Sequence, residues 1–385
     1  MSEPLVVYGP ASLLHDFGPQ HPLTPLRFGP AISLLRSVGA DRFMEPPQAT
    51  DDELLRLHTA DFVRAVRAFS EDPWLPPAAG IGPGDTPAFS GMHEAAAIVA
   101  GGSLAAVERI LAGQVEHAFH PGGGLHNAMA GRAGGFCIYN DVALAVARAR
   151  DAGHRVLYVD LDVHHGDGTQ ALFWDDPQVL TLSIHESGLS LFPGTGFIEE
   201  RGGAEAHGTA VNVPLQAFSG DSSWQAALTS VLPALAEAFR PTFLVSQHGC
   251  DSHALDPLAH LRLTTRSYLV ATQLLDELAH RFAEGRWLAT GGGGYDAYQV
   301  VPRSWGLVWL AQAHRPVPHE TEPAWRDEWS AAAERYGQGP PPVRFLDPAE
   351  LVGPEPPQLS AANRRIAELA LVAAQARLGA QPTGG

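Results

Sequence analysis

Along this chain, short runs of apolar and β-branched residues alternate with longer stretches in which apolar positions recur every three or four residues. The first pattern predicts buried strands at 115–120, 155–161, 179–185, 243–248 and 286–290. The second predicts helices at 51–69, 92–112, 141–151, 224–238, 266–284 and 359–378. Thr50 and Glu53 have the spacing of a capping box at the start of the first helix. In 141–151 the run Ala-Leu-Ala-Val-Ala-Arg-Ala-Arg combines strong helix formers with a basic last turn. Strands and helices in alternation predict an α/β fold built on a parallel sheet. Residues 1–314 carry this pattern. From 315 to 385 the chain is rich in proline, alanine and acidic residues, and it reads as a loosely packed extension closed by one helix and packed on the domain, its last six residues disordered.

Polar or glycine-rich motifs follow five of the strands. Strand 115–120 runs into Pro-Gly-Gly-Gly-Leu-His126-Asn127, and 155–161 into Asp160-Leu-Asp162-Val-His164-His-Gly-Asp167-Gly. Strand 179–185 leads to Leu-Phe192-Pro-Gly-Thr-Gly, 243–248 to Gly-Cys-Asp251, and 286–290 to Gly-Gly-Gly-Gly-Tyr295. Open α/β sheets bind ligands at the carboxyl edge of their strands, so these motifs point to one composite site.

The richest is the second. An extended chain sends alternate side chains the same way, so Asp160, Asp162 and His164 leave on one face. Two buried carboxylates beside an imidazole repel unless a cation sits among them. The motifs supply no basic partner, which argues against a salt-bridge cluster. Asp162 and His164 are therefore expected to ligate a metal, with Asp251 the best candidate for the third ligand. This set suits zinc, or iron(II) where that is the available metal. Two carboxylate ligands cancel the charge of a divalent ion, so bound water is acidified less than by three neutral histidines, and a general base gains importance. His126 is the obvious base. Asp160 could fix its tautomer, and Asp167 is available for a second such dyad. Tyr295, presented by glycines, fits an electrophilic hydrogen-bond donor.

Composition narrows the classes. The net charge of −17 argues against a nucleic-acid or anionic-membrane surface, and suits a cationic partner or simple solubility. No lysine occurs, which removes Walker-type phosphate binding and Schiff-base chemistry. Two cysteines, Cys137 and Cys250, cannot build a disulfide framework and fit a reducing cytosol. The start, Met1 to Tyr8, has no basic segment followed by a long apolar one, and no run of about 18 apolar residues predicts a membrane span. A cytoplasmic protein is expected.

Together the motifs resemble those of the arginase-fold zinc deacetylases, the histone deacetylase superfamily, and most of all its bacterial acetoin-utilisation type. The matching pieces are Gly-Asp85-Thr-Pro with Gly-Met-His-Glu-Ala at 91–95, Gly-Gly-Gly-Leu-His126, Gly135-Phe136-Cys137-Ile-Tyr-Asn-Asp, the Asp160 to Gly168 segment, Phe192-Pro-Gly-Thr-Gly, Gly-Cys-Asp251 with Asp256-Pro, and the glycines before Tyr295. The resemblance implies a single α/β domain of three layers, with a central mostly parallel sheet flanked by helices. It implies zinc on Asp162, His164 and Asp251 at the end of a narrow tunnel, and hydrolysis of an N-acyl-lysine or similar amide. Phe136 and Phe192 would form the tunnel walls, with Gly135, Leu258 and Gly293 beside them. Asp85 would hold substrate backbone at the rim. Arg27 and Cys137 would lie where acetate leaves. A structural potassium ion would be held through Asp160, Asp162, His164 and Ser183.

From the residues alone, Asp85 could equally cap its own loop, Phe136 and Phe192 could be core aromatics, and Arg27 could form a structural ion pair. His165 and Cys137 read as buried core residues. The departure is Asn127, where the family usually has a second adjacent histidine acting with the position of Asp167. Asparagine cannot shuttle a proton near neutral pH, though it can hydrogen-bond the water or the substrate carbonyl. The expectation is a working deacetylase that is slow or altered. The alternatives are a small-molecule deacylase, for example of acetylpolyamines, and an acyl-lysine-binding protein with little turnover. The oligomeric state is not legible.

Overall fold

The structure, a computed structural model, describes residues 3–378. The expected disorder of the last six residues lies outside that range. Eight strands form one sheet: β1 (Leu5–Val7), β2 (Phe43–Met44), β3 (His117–His120), β4 (Val156–Asp160), β5 (Val179–Glu186), β6 (Ala210–Leu215), β7 (Phe243–Gln247) and β8 (Trp287–Thr290). Their order is β2-β1-β3-β8-β7-β4-β5-β6, and every pair is parallel. The chain therefore leaves β3, builds β4, β5 and β6 outward, and returns with β7 and β8 to fill the gap. Pro214 sits in β6, an edge strand, where a missing N–H is tolerated.

The helices are α1 (Phe28–Ser37), α2 (Asp51–Leu54), α3 (Ala60–Glu71), α4 (Met92–Leu111), α5 (Asp141–Asp151), α6 (Asp167–Leu172), α7 (Asp221–Phe239), α8 (Thr265–Ala283), α9 (Val301–Gln312), α10 (Pro323–Arg335) and α11 (Pro357–Leu378). Alternation along the strands divides them into layers. Leu157 and Val159 of β4, with Leu182 and Ile184 of β5, pack against α1, α7, α8 and α9. Val156 and Tyr158 of β4, with Val245 and Leu288, pack against α4 and α5 on the other face. Both faces are covered, as an all-parallel sheet requires.

Two expectations differ from the structure. The helix expected over 51–69 is two helices. Thr50 and Glu53 do form a capping box on α2, but the Thr59 side chain accepts the Phe62 N–H and starts α3 afresh. The segment after 315 carries two helices, where one was expected. Within α10 only Trp325 and Ala333 are buried, with Trp329 and Ala332 partly buried beside them, and Trp325 donates its indole N–H to Pro30 O at 2.8 Å. The segment is tied to the domain. Asp347 is buried, 2.7 Å from Arg303 Nη1 and 2.9 Å from His253 Nε2. Among the described residues, no helix is long and apolar enough to cross a membrane.

Candidate active site

The site lies above the carboxyl ends of β3, β8, β7 and β4, the four central strands after β1. Asp160 ends β4, in register with Ser183 of β5 and Gln247 of β7. Beyond it the chain keeps its alternation, so Asp162 and His164 meet Asp251 from the loop after β7. One ligand atom from each of Asp162, His164 and Asp251 lies within 4.8 Å of the others. His164 Nδ1 is 3.1 Å from Asp162 Oδ1 and 3.2 Å from Asp251 Oδ2. Tetrahedral bonds of about 2.0–2.1 Å place neighbouring donors about 3.3–3.4 Å apart, so the spacing fits one small ion. Among the described residues no arginine pairs with Asp162 or Asp251. The donor set therefore has the chemistry of a metal site.

Each ligand is held from behind. Asp162 Oδ2 accepts from Gln247 Nε2 at 2.7 Å and from the Gly293 N–H at 2.8 Å. Asp251 Oδ1 accepts the Val163 N–H at 3.0 Å. Glycine is required at 293, because a Cβ there would overlap the Asp251 carboxylate. The electrostatics describe a cluster short of positive charge. Burial and then Asp162 push the Asp251 carboxyl up to about 6. Burial alone would lower His164, but Asp162 and Asp251 outweigh it and raise its pKa to about 10.

His126 is buried beside this set, its Nδ1 2.8 Å from Asp160 Oδ2 and its Nε2 3.9 Å from Asp162 Oδ1. Asp160 also accepts from the Tyr158 hydroxyl at 2.6 Å and from the Asp162 N–H at 3.2 Å. Burial opposes a charged His126, yet Asp160 and Asp162 prevail and raise its pKa to about 9. The glycine turn carrying His126 is clamped by Asp141, which accepts the Leu125 N–H at 2.8 Å and the Gly124 N–H at 3.1 Å.

Asn127 meets Asp167, the position that the resemblance pairs with it. Its Nδ2 donates to Asp167 Oδ1 and to His165 O, both at 2.8 Å. Both partners are acceptors, so the amide orientation is fixed and both N–H bonds are used. Oδ1 is left toward the cavity, where a Cβ on Gly135 would lie 2.6 Å from it. Asn127 can therefore accept a hydrogen bond from water or an amine but has none to give a carbonyl, which corrects the broader expectation.

These groups line a cavity of about 220 Å³, bounded by Phe136, Phe192, Leu258, Gly293 and Tyr295. Phe192 is 46% exposed and Leu258 36%, so neither is a core residue; they stand at the mouth. Gly135 and Phe136 both have positive φ, +55° and +66°, which turns the Phe136 ring inward against the edge of Tyr295. Asp85 at the rim accepts the Gly135 N–H at 2.8 Å through Oδ2. The Tyr295 backbone is pinned at both ends, its N–H by Asp256 and its carbonyl by Gln338. Burial, then Asp251 and Asp162, push its phenol well above the ordinary value of 10, so it remains a proton donor.

Arg27 is buried under the site, donating to Gly292 O at 2.6 Å and lying over the Trp305 ring. Among the described residues it has no carboxylate partner, so the structural ion pair considered above is not formed. Cys137 is buried, its Sγ 3.2 Å from Gly135 O. Ser183 lies 2.8 Å from His185 Nδ1. His165 is bound to Thr195 and Gln170, as a core histidine.

Sequence reasoning gave no role to Gln247, Tyr158, Asp141 or Gln338. The first two had a signal. Tyr158 shares the face of Asp160 by period two, and Gln247 is a polar residue ending an apolar strand. Asp141 and Gln338 act through folding back of distant segments, which leaves no local pattern.

Residues 21–312 match the model of the histone deacetylase domain. The acetoin utilization protein AcuC of Bacillus subtilis (strain 168) is 39% identical over 383 residues, 97% of this chain and 98% of its own length. AcuC of Staphylococcus aureus (strain MRSA252) is 36% identical over 356 residues, 90% of each chain. A solved histone deacetylase homologue in complex with SAHA superposes with a TM-score of 0.82 at 27% identity, covering 96% of this chain and all of that one.

Proposed function

Because this chain belongs to the histone deacetylase family, hydrolytic deacetylases acting on amides, we propose that it removes acetyl or related acyl groups from N-acyl-lysine in proteins. The observation that carries the reading is the gathering of Asp162, His164 and Asp251 at the base of a cavity flanked by His126 and Tyr295. Asp162, His164 and Asp251 would hold zinc, or iron(II). When bound, that ion supplies Lewis acidity toward the acyl carbonyl and makes water easier to deprotonate.

The chain's own residues do the rest. Phe136 and Phe192 grip the apolar methylenes, with Gly135, Leu258 and Gly293 shaping the path and Asp85 holding substrate backbone at the rim. With a divalent cation offsetting the carboxylates that raise its pKa, His126 would be neutral, and its Nε2 takes the proton from the attacking water, while Asp160 at Nδ1 fixes the tautomer and steadies the imidazolium. The Tyr295 hydroxyl donates to the acyl oxygen as negative charge develops there. His126 then returns the proton to the leaving nitrogen as the C–N bond breaks. Asn127 Oδ1 accepts from the water or the departing amine and carries no proton, which leaves His126 to act alone and makes the enzyme slow or altered. Asp167 orients that amide. Arg27, a buried cation without a carboxylate partner, and Cys137 mark the path for acetate. A potassium ion held through Asp160, Asp162, His164 and Ser183 would offset the buried carboxylates.

The charge of −17 favours a second reading, a deacylase of small cationic amines such as acetylpolyamines. An acetyl-lysine peptide and N-acetylputrescine, each assayed with and without chelator, separate the readings. Chelator-sensitive acetate release, faster from the peptide, is the expected result. Faster release from the amine would move the substrate class. Hydroxamate binding without turnover of either would identify a binding protein instead.

A further inference from the structure

Far from the active site, at the opposite edge of the sheet, four more metal-ligating side chains converge. His117 is the first residue of β3, Asp276 and His280 are one turn apart on α8, and His314 follows α9. One ligand atom from each lies within 4.8 Å of the others. His280 Nε2 is 3.1 Å from His314 Nε2, and Asp276 Oδ1 is 3.1 Å from His314 Nε2 and 3.5 Å from His280 Nε2. His117 Nε2 stands 3.8 Å from the same carboxylate oxygen.

His117 supplies an independent sign. It is only 2% exposed, and its Nδ1 is 2.8 Å from Gln312 O, a carbonyl that can only accept. Nδ1 therefore carries the hydrogen, and Nε2 presents a bare lone pair. That Nε2 is buried and without a hydrogen-bond partner. A buried acceptor left without a hydrogen-bond donor is costly, and this one lies within 4.8 Å of a ligand atom on each of Asp276, His280 and His314. Separations of 3.1–3.8 Å bracket the spacing of about 3.3–3.4 Å that a tetrahedral ion with bonds of about 2.0–2.1 Å needs.

We propose that His117, Asp276, His280 and His314 form a second transition-metal site, for zinc or another borderline divalent ion, that clips β3, α8 and the end of α9 together. The backbone carbonyl behind His117 fixes its tautomer, as the partner of a ligating histidine commonly does. Four protein ligands leave no open corner, so the site is structural rather than catalytic. His117 begins β3, whereas the active site lies beyond the strands' carboxyl ends, and the ion here is counted separately.

The test uses full-length protein, stripped by chelator, reloaded with zinc and desalted, with metal measured by mass spectrometry. Wild type should hold one equivalent more than the double variant H280A/H314A, which should keep its acetate release unchanged. D162A should keep one equivalent. Zinc should raise the melting temperature of D162A, and the triple variant D162A/H280A/H314A should show no such rise. A drop of one equivalent between wild type and H280A/H314A supports the site whatever the active site holds. An unchanged count, or zinc stabilisation that persists in the triple variant, overturns it. The gentler H280Q/H314Q pair repeats the comparison should the alanines impair folding.

Discussion

Residue 127 is an asparagine where the resemblance implies a second histidine. The asparagine preserves the bond to Asp167 but spends both N–H groups on Asp167 and His165 O, so it holds geometry without moving a proton. Asn127→His should restore a titratable partner in the same place and raise acetyl-lysine hydrolysis at least tenfold, a modest part of the ~10²–10⁴ that acid–base help supplies. Steady-state kinetics decide it; no gain with full metal content would show that position 127 takes no part in proton transfer and that its asparagine does not slow the enzyme. Tyr295 acts from the other side. Tyr295→Phe removes one donor to the developing oxyanion and should lower kcat ~10²-fold or more. Metal content should be unchanged, since Tyr295 contributes no ligand, and an unaltered kcat would remove it from the mechanism.

At the scale of elements, the glycine turns set the distances. A methyl at 293 has no room beside Asp251, so Gly293→Ala should displace that ligand and weaken metal affinity ~10–100-fold, the usual cost of disturbing a ligand's support. Competition with a chelator measures this, and an unchanged affinity would mean that the loop yields freely. Much of this arrangement was legible in the chain. The alternation carrying Asp160, Asp162 and His164 to one face is a local pattern, and the glycine turns follow their strands directly. The helices α1, α6 and α9 escaped, as did several elements with weak local signals. β1 and β2 are only three and two residues long, β6 contains a proline, and α10 buries only two residues in thirteen. The split between α2 and α3 depended on which of two threonines caps, and both do. Gln338 and Asp141 reach the site only through the tertiary fold, so no spacing announces them.

At the scale of the molecule, the C-terminal segment closes back onto the domain through Asp347. Burial alone would raise the pKa of this carboxyl, but His253, Arg303 and the Thr265 N–H together hold it below the ordinary carboxylate range. A depressed folded-state pKa contributes stability that is present above the unfolded value of about 4 and lost as pH falls through the folded one. Asp347→Asn leaves Arg303 buried without its counter-charge and should destabilise the protein by about 3 kcal/mol at pH 7. Urea denaturation across pH should show the gap between wild type and variant narrowing below about pH 4. A gap constant with pH would mean that the carboxylate's charge contributes nothing.

Hydrolysis at this site would require an ion among three side chains. Anomalous diffraction at the zinc edge, from crystals of the zinc-loaded protein, examines that directly. The prediction is a peak bonded to Asp162, His164 Nδ1 and Asp251, at the base of the cavity beside His126 and Tyr295. A map with no peak there at full loading, the three groups turned apart, would contradict it.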